Sequence, residues 1–377
     1  MASEATHSER RLSQGIIALV FAVVFFVSAR THADPDLWGH VRFGQDILSE
    51  GIPTTDSYSY LNGDVPWVNH ELLAEILFGA AFKFMGVPGL VALKTGLALL
   101  MFGLLYSHLR RCGLNEVRSG IVMVAVLMLM SVGMWTIRPQ LLTYVLFLLT
   151  ILLIDRAERG SRTAIWMLPP VMLVWANSHG GFLAGIAVVA IWVAVRVVSH
   201  FMPDPWRVRS NPSSTTVILT FILCVAATLV NPYGPRLLTF LLETATVARP
   251  EIGEWQPVSI TTPEGAAYVI VVAGTIAAFL RSRRPRRLST IAVLFAVALL
   301  PLVALRHLPL FGLAFAVFAG EHLADFWDRA IVSRDIQPRL IRSAPWVAAA
   351  AFVVAAVPHF NCIRIDPSFI RFTKPNP

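Results

Sequence analysis

The sequence predicts an all-α polytopic membrane protein. Of its 377 residues, 56% are hydrophobic and 14% are charged, and the mean hydropathy is +0.65. The apolar runs are hydrophobic on all sides rather than alternating, which favours helices over strands in lipid. Eleven such runs have about the length that spans a bilayer. They lie near residues 14–30, 89–109, 118–136, 139–154, 163–177, 181–199, 214–231, 265–281, 288–305, 307–323 and 343–358.

One apolar stretch, residues 70–86, is left out of these spans. It carries Glu71, Glu75 and Lys83 among its apolar positions, as helices that lie flat at a membrane interface do. The pattern therefore predicts an interfacial helix that ends before the second span.

A second interfacial helix is predicted over residues 37–50. Leu37, Val41 and Leu48 share one face at helical spacing. Pro35 suits its first turn and Gly51 suits its stop.

The basic residues indicate the orientation. With residues 70–86 flat and the N-terminus in the cytoplasm, most of the 31 Lys and Arg residues fall in cytoplasmic segments. A crossing at 70–86 would instead turn the arginine-rich run 281–287 outward. We therefore expect the N-terminus inside, the C-terminus outside, and one transmembrane domain over residues 1–377. Its two large outer loops would be 31–88 and 232–264.

Other classes of protein fit poorly. The net charge of +8 and the isoelectric point near 9.9 follow from short basic loops rather than from a nucleic-acid surface. The three cysteines form no spaced pair, which argues against a thiolate metal site or a disulfide framework.

The expected topology collects the polar motifs on the outer face. The first outer loop opens with Asp34 and Asp36 and ends with His70-Glu71. The other outer-facing candidates are Arg138 and Gln140, Asn177 and His179, Tyr233 in Asn-Pro-Tyr-Gly, and Arg306-His307. Ionisable groups at a membrane edge are costly, so their grouping favours function.

Each motif also has a structural interpretation. Asp34 and Asp36 could cap the interfacial helix, or they could bind a cation or accept a proton. Arg138 could reach the outer headgroups, or it could bind a phosphate through two parallel hydrogen bonds. His179 could satisfy a helix end before Gly180-Gly181.

The motifs together resemble a family. The segments DPDLWGHVRFGQDILSEGIPTTDSYSY, PWVNHELLAE, IRPQLLTY, WANSHGGF, LVNPYG and RHLPLF are similar to those of a bacterial family of uncharacterised membrane proteins. That family has the architecture of the C-type glycosyltransferase (GT-C) superfamily. An outer loop that opens with acidic residues, holds two interfacial helices and leads to a span ending in basic residues matches this layout.

The resemblance implies an inverting glycosyltransferase in the bacterial inner (plasma) membrane. The donor would be a polyprenyl-phosphate-linked sugar, and the acceptor an unidentified glycan, lipid or protein on the extracytoplasmic face. Asp34 and Asp36 would be catalytic or would hold a divalent cation, Mg²⁺ or Mn²⁺. The substrate-binding candidates are Arg138, Gln140, His70, Glu71, Asn177, His179, Tyr233, Arg306 and His307.

The sequence also allows functions other than glycosyl transfer. One is a non-catalytic transporter of lipid-linked sugars or an envelope-assembly scaffold. Another is an acyl- or phosphotransferase that uses His70 or His179, and a third is glycoside hydrolysis by a carboxylate pair.

Overall fold

A computed structural model describes residues 2–30, 34–59, 65–134, 136–203, 212–247 and 250–332. The contacts divide the chain into two compact units, Met1–Phe326 and Trp327–Pro377, and the second is described only as far as residue 332. Over the described residues the fold is entirely helical, with one isolated bridge between Thr55 and Pro66.

Thirteen α-helices are described. They are α1 (Ala2–Ser28), α2 (Leu37–Glu50), α3 (Leu72–Arg111), α4 (Glu116–Met134), α5 (Gln140–Glu158), α6 (Arg162–Trp166), α7 (Leu168–Ala176), α8 (Phe182–His200), α9 (Ser214–Thr228), α10 (Arg236–Thr246), α11 (Pro263–Arg281), α12 (Leu288–Leu299) and α13 (Leu308–Val332).

Five helical segments in the described part of the chain are long and apolar enough to cross a membrane. They are Leu72–Arg111, Gln140–Glu158, Phe182–His200, Pro263–Arg281 and Leu305–Ala330. Three shorter apolar helices, Ser13–Ser28, Ser214–Thr228 and Leu288–Leu302, add to the apolar body. The fold therefore belongs to the class of helical membrane proteins.

Helices occupy the first ten positions where spans were predicted, and the predicted span 343–358 lies outside the described residues. The fifth position is divided into α6 and α7. Pro169 and Pro170 cause this division, because neither offers the backbone N–H that would continue the hydrogen bonding of α6.

The interfacial-helix predictions agree with two backbone features. α3 breaks at Gly86, whose φ of 61° and ψ of −149° are not helical, so residues 72–85 form a separate arm before the longer part. α2 ends before Gly51, whose φ of 91° suits glycine. Leu37 and Val41 are buried as expected, but Leu48 is exposed and Ile47 is buried in its place.

One expectation about α2 needs correction. Pro35 does not lie in its first turn, because the helix begins at Leu37 with Asp36 at the N-cap position. The predicted outer loop 232–264 contains the helix α10. The buried pair Leu237 and Leu241, one turn apart, fixes that helix against the body.

Hydrogen bonds join the same ends of successive helices. At one end, the backbone N–H of Leu73 donates to Asn177 O (2.7 Å) and the Asn177 amide donates to Val230 O (2.9 Å). At the other end, Arg196 donates to Pro212 O (2.9 Å). α5 links the two ends, since its 19 residues rise about 28 Å, close to the thickness of a bilayer core at about 30 Å.

Candidate functional site

A close contact between two glycines sets the geometry of the first polar region. A Cβ added at Gly44 of α2 would collide with the backbone of Glu75 in α3, and one at Gly79 would lie 2.7 Å from Gln45 N. Only glycine lets two backbones approach this closely. The approach puts His40, one turn before Gly44, against Glu75, one turn before Gly79.

His40, Glu71 and Glu75 form what we call the acidic cluster. His40 Nδ1 lies 3.0 Å from Glu75 Oε1 and 3.5 Å from Glu71 Oε2. Glu75 is buried, and Glu71 retains only 9% of its exposure. Within the described residues, neither carboxylate forms an ion pair with an Arg or Lys.

Asn69 contacts both glutamates of the acidic cluster, through the carboxylate of Glu75 and the backbone of Glu71. Its side-chain amide donates a short hydrogen bond to Glu75 Oε2. Its carbonyl oxygen accepts from the backbone N–H of Glu71 (2.8 Å). Because Asn69 is itself buried, it fixes the orientation of the two glutamates relative to each other.

His179 connects the acidic cluster to the turn between α7 and α8. Its Nδ1 accepts from the backbone N–H of Gly181 (2.8 Å) and lies 2.9 Å from Thr143 Oγ1, which in turn accepts from Trp175 Nε1 (3.0 Å). A neutral imidazole whose Nδ1 is an acceptor carries its proton on Nε2. That Nε2 lies 3.4 Å from Glu71 Oε1.

Burial governs the protonation of this region. Burial raises the pKa of Glu71 to about 7, although His40 opposes the shift. Burial lowers the pKa of His70 to about 4, helped by the charge of His40, and lowers that of His179 well below its ordinary value. For His40, burial lowers the pKa, but the hydrogen bond with Glu75 and the charge of Glu71 outweigh it and the net shift is upward.

A cleft opens beside His179, at the same end of the helices. It lies among the end of α4, the starts of α5 and α8, the loop before α11 and the turn before α13. Its lining residues are Gly133, Arg138, Gln140, Thr143, Tyr144, His179, Gly181, Ala184, Glu254, Arg306, His307 and Leu310.

Arg138 lies in the cleft with both neighbouring carboxylates engaged. It forms a short ion pair with Asp34, which is buried, and its Nη1 donates to Glu254 Oε2 (2.7 Å). Burial alone would lower the pKa of Arg138, but Asp34 and Glu254 raise it above its ordinary value. Arg138 is thus a fixed cation whose charge is already balanced.

Arg306 is held differently. Its guanidinium stacks on the ring of Trp255, 4.5 Å from the centroid, an arrangement that stabilises a cation without neutralising it. Among the described residues it has no carboxylate partner. Gln140 Oε1, in the same cleft, is buried without a hydrogen-bond partner.

The cleft brings together five of the residues predicted from the sequence: Arg138, Gln140, His179, Arg306 and His307. Glu71 contacts His179 directly. His70 packs between the His179 and Phe240 rings, at 6.4 and 5.5 Å between ring centroids.

Asn177, Tyr233 and Asp36 also lie outside the cleft lining. Asn177 ties helix ends together through its amide and carbonyl. Tyr233 lies beside Asn69 and Glu75, and burial raises its pKa. Asp36 is exposed and occupies the N-cap position of α2, but its side chain does not form the expected capping hydrogen bond.

Asp34 and Asp36 do not fit a divalent cation. Asp34 Oδ1 accepts from the backbone N–H of Asp36 (3.0 Å), and Oδ2 is taken by Arg138. A guanidinium in that position repels a metal ion.

The sequence candidates omitted Glu254, His40, Glu75 and Asn69. The available signal for Glu254 was its position beside Trp255 in an outer loop. For the other three, the signal was the crowding of polar residues around the interfacial helices.

The fold and the site together define a helical membrane protein with a polar cleft at one end of its apolar helices. No protein-family model matches the chain, and no curated protein matches it either.

Proposed function

We propose that the protein is a membrane glycosyltransferase of the GT-C type. It would move a sugar from a polyprenyl-phosphate-linked donor to an acceptor on the extracytoplasmic face of a bacterial inner membrane. The arginine distribution supports eleven spans with the N-terminus cytoplasmic and the C-terminus extracytoplasmic. The acceptor is a glycan, lipid or protein, and nucleic acid has no part in the reaction.

The observation that carries the proposal is the arrangement of charge in the cleft. Arg306 offers a guanidinium with no carboxylate partner in the described chain, next to the unpartnered Gln140 Oε1 and at the end of apolar helices. A lipid phosphate needs such a cation at the membrane edge, with its apolar tail free to lie along the helices. The hydroxyl-rich sugar would meet the amide of Gln140.

Glu254 is the carboxylate that lines the cleft. Arg138 fixes its Oε2 and leaves Oε1 to orient an acceptor hydroxyl. In this arrangement Asp34 is a positioning residue, because it holds Arg138 rather than facing the cleft. Fixed hydrogen-bond donors and charges, in a site from which water is excluded, are the main source of stabilisation for a leaving phosphate.

The test measures both binding and transfer. Membranes carrying the wild type, Arg306→Ala or Glu254→Gln are supplied with undecaprenyl-phosphate-linked sugars labelled in the sugar. We expect Arg306→Ala to weaken binding of undecaprenyl phosphate itself, and Glu254→Gln to slow transfer by about 10²-fold or more with binding retained.

Matched controls are Arg236→Ala and Glu251→Gln, two exposed residues of the same outer stretch. Transfer at the wild-type rate in both Arg306→Ala and Glu254→Gln would refute the proposed roles. Lipid binding that depends on Arg306, without transfer of any sugar, would favour the transporter or scaffold.

A further inference from the structure

The acidic cluster has the geometry of a metal site rather than that of a simple ion pair. Three ligand atoms face one another: His40 Nδ1, Glu71 Oε2 and Glu75 Oε1. All three residues can supply one atom each within 4.8 Å of the others. Atoms that share a metal ion at about 2.1 Å lie about 3.0–3.4 Å apart. Of the two distances from His40, 3.0 Å lies within this range and 3.5 Å lies just above it.

The remaining atoms of the same carboxylates are held by a second set of polar groups. Asn69 donates to Glu75 Oε2, and His179 Nε2 lies 3.4 Å from Glu71 Oε1. His70 Nε2 lies 3.7 Å from that same oxygen. Metal ligands are characteristically oriented by such outer contacts, and here each contact is on the carboxylate oxygen that is not one of the three facing atoms.

The charge balance also points to a cation. Two largely buried carboxylates face each other with one imidazole, and no Arg or Lys of the described chain pairs with either. Buried carboxylates are compensated by a counter-charge, by a proton or by a metal ion. Arginines pair directly with Glu158 and Glu321, whereas Arg306 acts on Glu71 only at longer range, so a proton or a metal ion is left to compensate the cluster.

We propose that His40, Glu71 and Glu75 bind one divalent transition-metal ion, of the class of Zn²⁺ or Mn²⁺. One imidazole and two carboxylates favour such ions over Mg²⁺ and Ca²⁺, which prefer oxygen ligands alone. Three protein ligands leave positions open for water or substrate. The inference stands on the cluster itself and does not depend on glycosyl transfer.

The experiment uses the full chain in detergent, carried on an affinity tag without histidine. Zinc content is measured after dialysis against a weak chelator. We expect about one zinc ion per chain in the wild type and a loss of more than about tenfold in Glu75→Gln and His40→Gln. Asn69→Ala should keep the stoichiometry but weaken affinity by about 10–100-fold.

Glu50→Gln and His200→Gln are matched controls, because both residues are exposed and lie outside the cluster. They should retain the wild-type zinc content. A wild type without zinc, or a Glu75→Gln protein that keeps it, would overturn the proposal. A hundredfold excess of Mg²⁺ that displaces the zinc would overturn the choice of metal class.

A second measurement covers the case in which a variant fails to fold. Mn²⁺ bound to the wild type is examined by pulsed electron paramagnetic resonance for coupling to a coordinated imidazole nitrogen. The coupling is expected because His40 is a ligand, and its absence would refute the site. Since neither readout involves sugar transfer, the metal site and the transferase can fail separately.

Discussion

The two polar regions at opposite ends of α5 balance their carboxylates in different ways. At the far end from the cleft, Asp155, Glu158, Arg159, Arg196, Arg287 and Glu321 form what we call the arginine network. Glu321 there pairs with Arg159 at 3.0 Å and with Arg287 at 2.9 Å. In the acidic cluster, by contrast, Glu71 and Glu75 meet only imidazole and amide groups among the described residues.

Glu158 shows how complete the arginine network is. Its Oε1 accepts from Trp192 Nε1 (2.6 Å), Arg196 Nη1 (2.8 Å) and Ser289 Oγ (2.9 Å). These donors come from α8 and α12, so one carboxylate fastens three helices. The difference teaches that a carboxylate held by several donors serves the fold, whereas one that no arginine holds remains available for a ligand.

The largest expected effect comes from removing Glu158. Glu158→Ala removes a carboxylate that pairs with Arg196, a buried residue with 2% of its side chain exposed. Breaking a buried pair from one side costs about 3–5 kcal/mol. We therefore expect a large fall in the unfolding temperature of the detergent-solubilised protein, followed by tryptophan fluorescence.

Glu116→Ala is the matched control for this change. The Arg110–Glu116 pair is partly exposed, at 37% and 29% for the two side chains, and such surface pairs contribute about 0–1 kcal/mol. If Glu158→Ala and Glu116→Ala lost equal stability, the arginine network would not hold the helices together.

A moderate effect is expected at the contact between α2 and α3. In Gly44→Ala the new methyl group meets the backbone of Glu75, and overpacking of this kind costs about 1–3 kcal/mol. Because the helices must separate, His40 should also move away from Glu75, and zinc content should fall together with the unfolding temperature.

Gly39→Ala separates this packing effect from helix propensity. It changes the same helix, but its Cβ would lie 3.6 Å from the Phe43 ring, which is an ordinary contact. Zinc content and stability close to wild type are expected there. A Gly44→Ala protein that behaves the same would show that the glycine contact does not position the acidic cluster.

Much of the fold follows from local pattern. Long apolar runs locate the helices, and Gly86 before Pro88 marks the break in α3. The turn residues at 231–234 predict a loop over 232–264, and the spacing of Leu237 and Leu241 is the local signal for α10. Such local features need no knowledge of distant partners.

Most of the ion pairs and hydrogen bonds that build the two polar regions cannot be predicted from the local sequence pattern. Asp155–Arg159 is one helical turn apart and can be anticipated. The Arg159–Glu321 pair joins residues 162 positions apart. In the sequence, the arginines of this network indicate only which loops face the cytoplasm. His40 and Glu75 meet only because two glycines, at positions 44 and 79, let the backbones touch.

The smallest effect is expected for Glu75→Gln, and it gives the most direct comparison between the acidic cluster and the arginine network. In Glu75→Gln the side-chain oxygen can still accept from Asn69, and the new NH₂ can donate to Nδ1 of a neutral His40. Every hydrogen bond is kept while one buried negative charge is removed. With chelator present, and at an alkaline pH at which His40 is neutral in both proteins, the unfolding temperature should therefore stay at or above that of the wild type.

Glu158→Gln is the counterpart at the other end of α5. An amide there takes the place of a carboxylate that pairs with Arg196, so the same chemical change should lower stability by about 1–3 kcal/mol. Both variants are compared in chelator, by unfolding temperature, so that metal binding does not contribute. Neutralising a carboxylate in the absence of a ligand is costly only where that carboxylate holds the fold together. An equal loss of stability in Glu75→Gln and Glu158→Gln would therefore mean that Glu75, like Glu158, holds helices together.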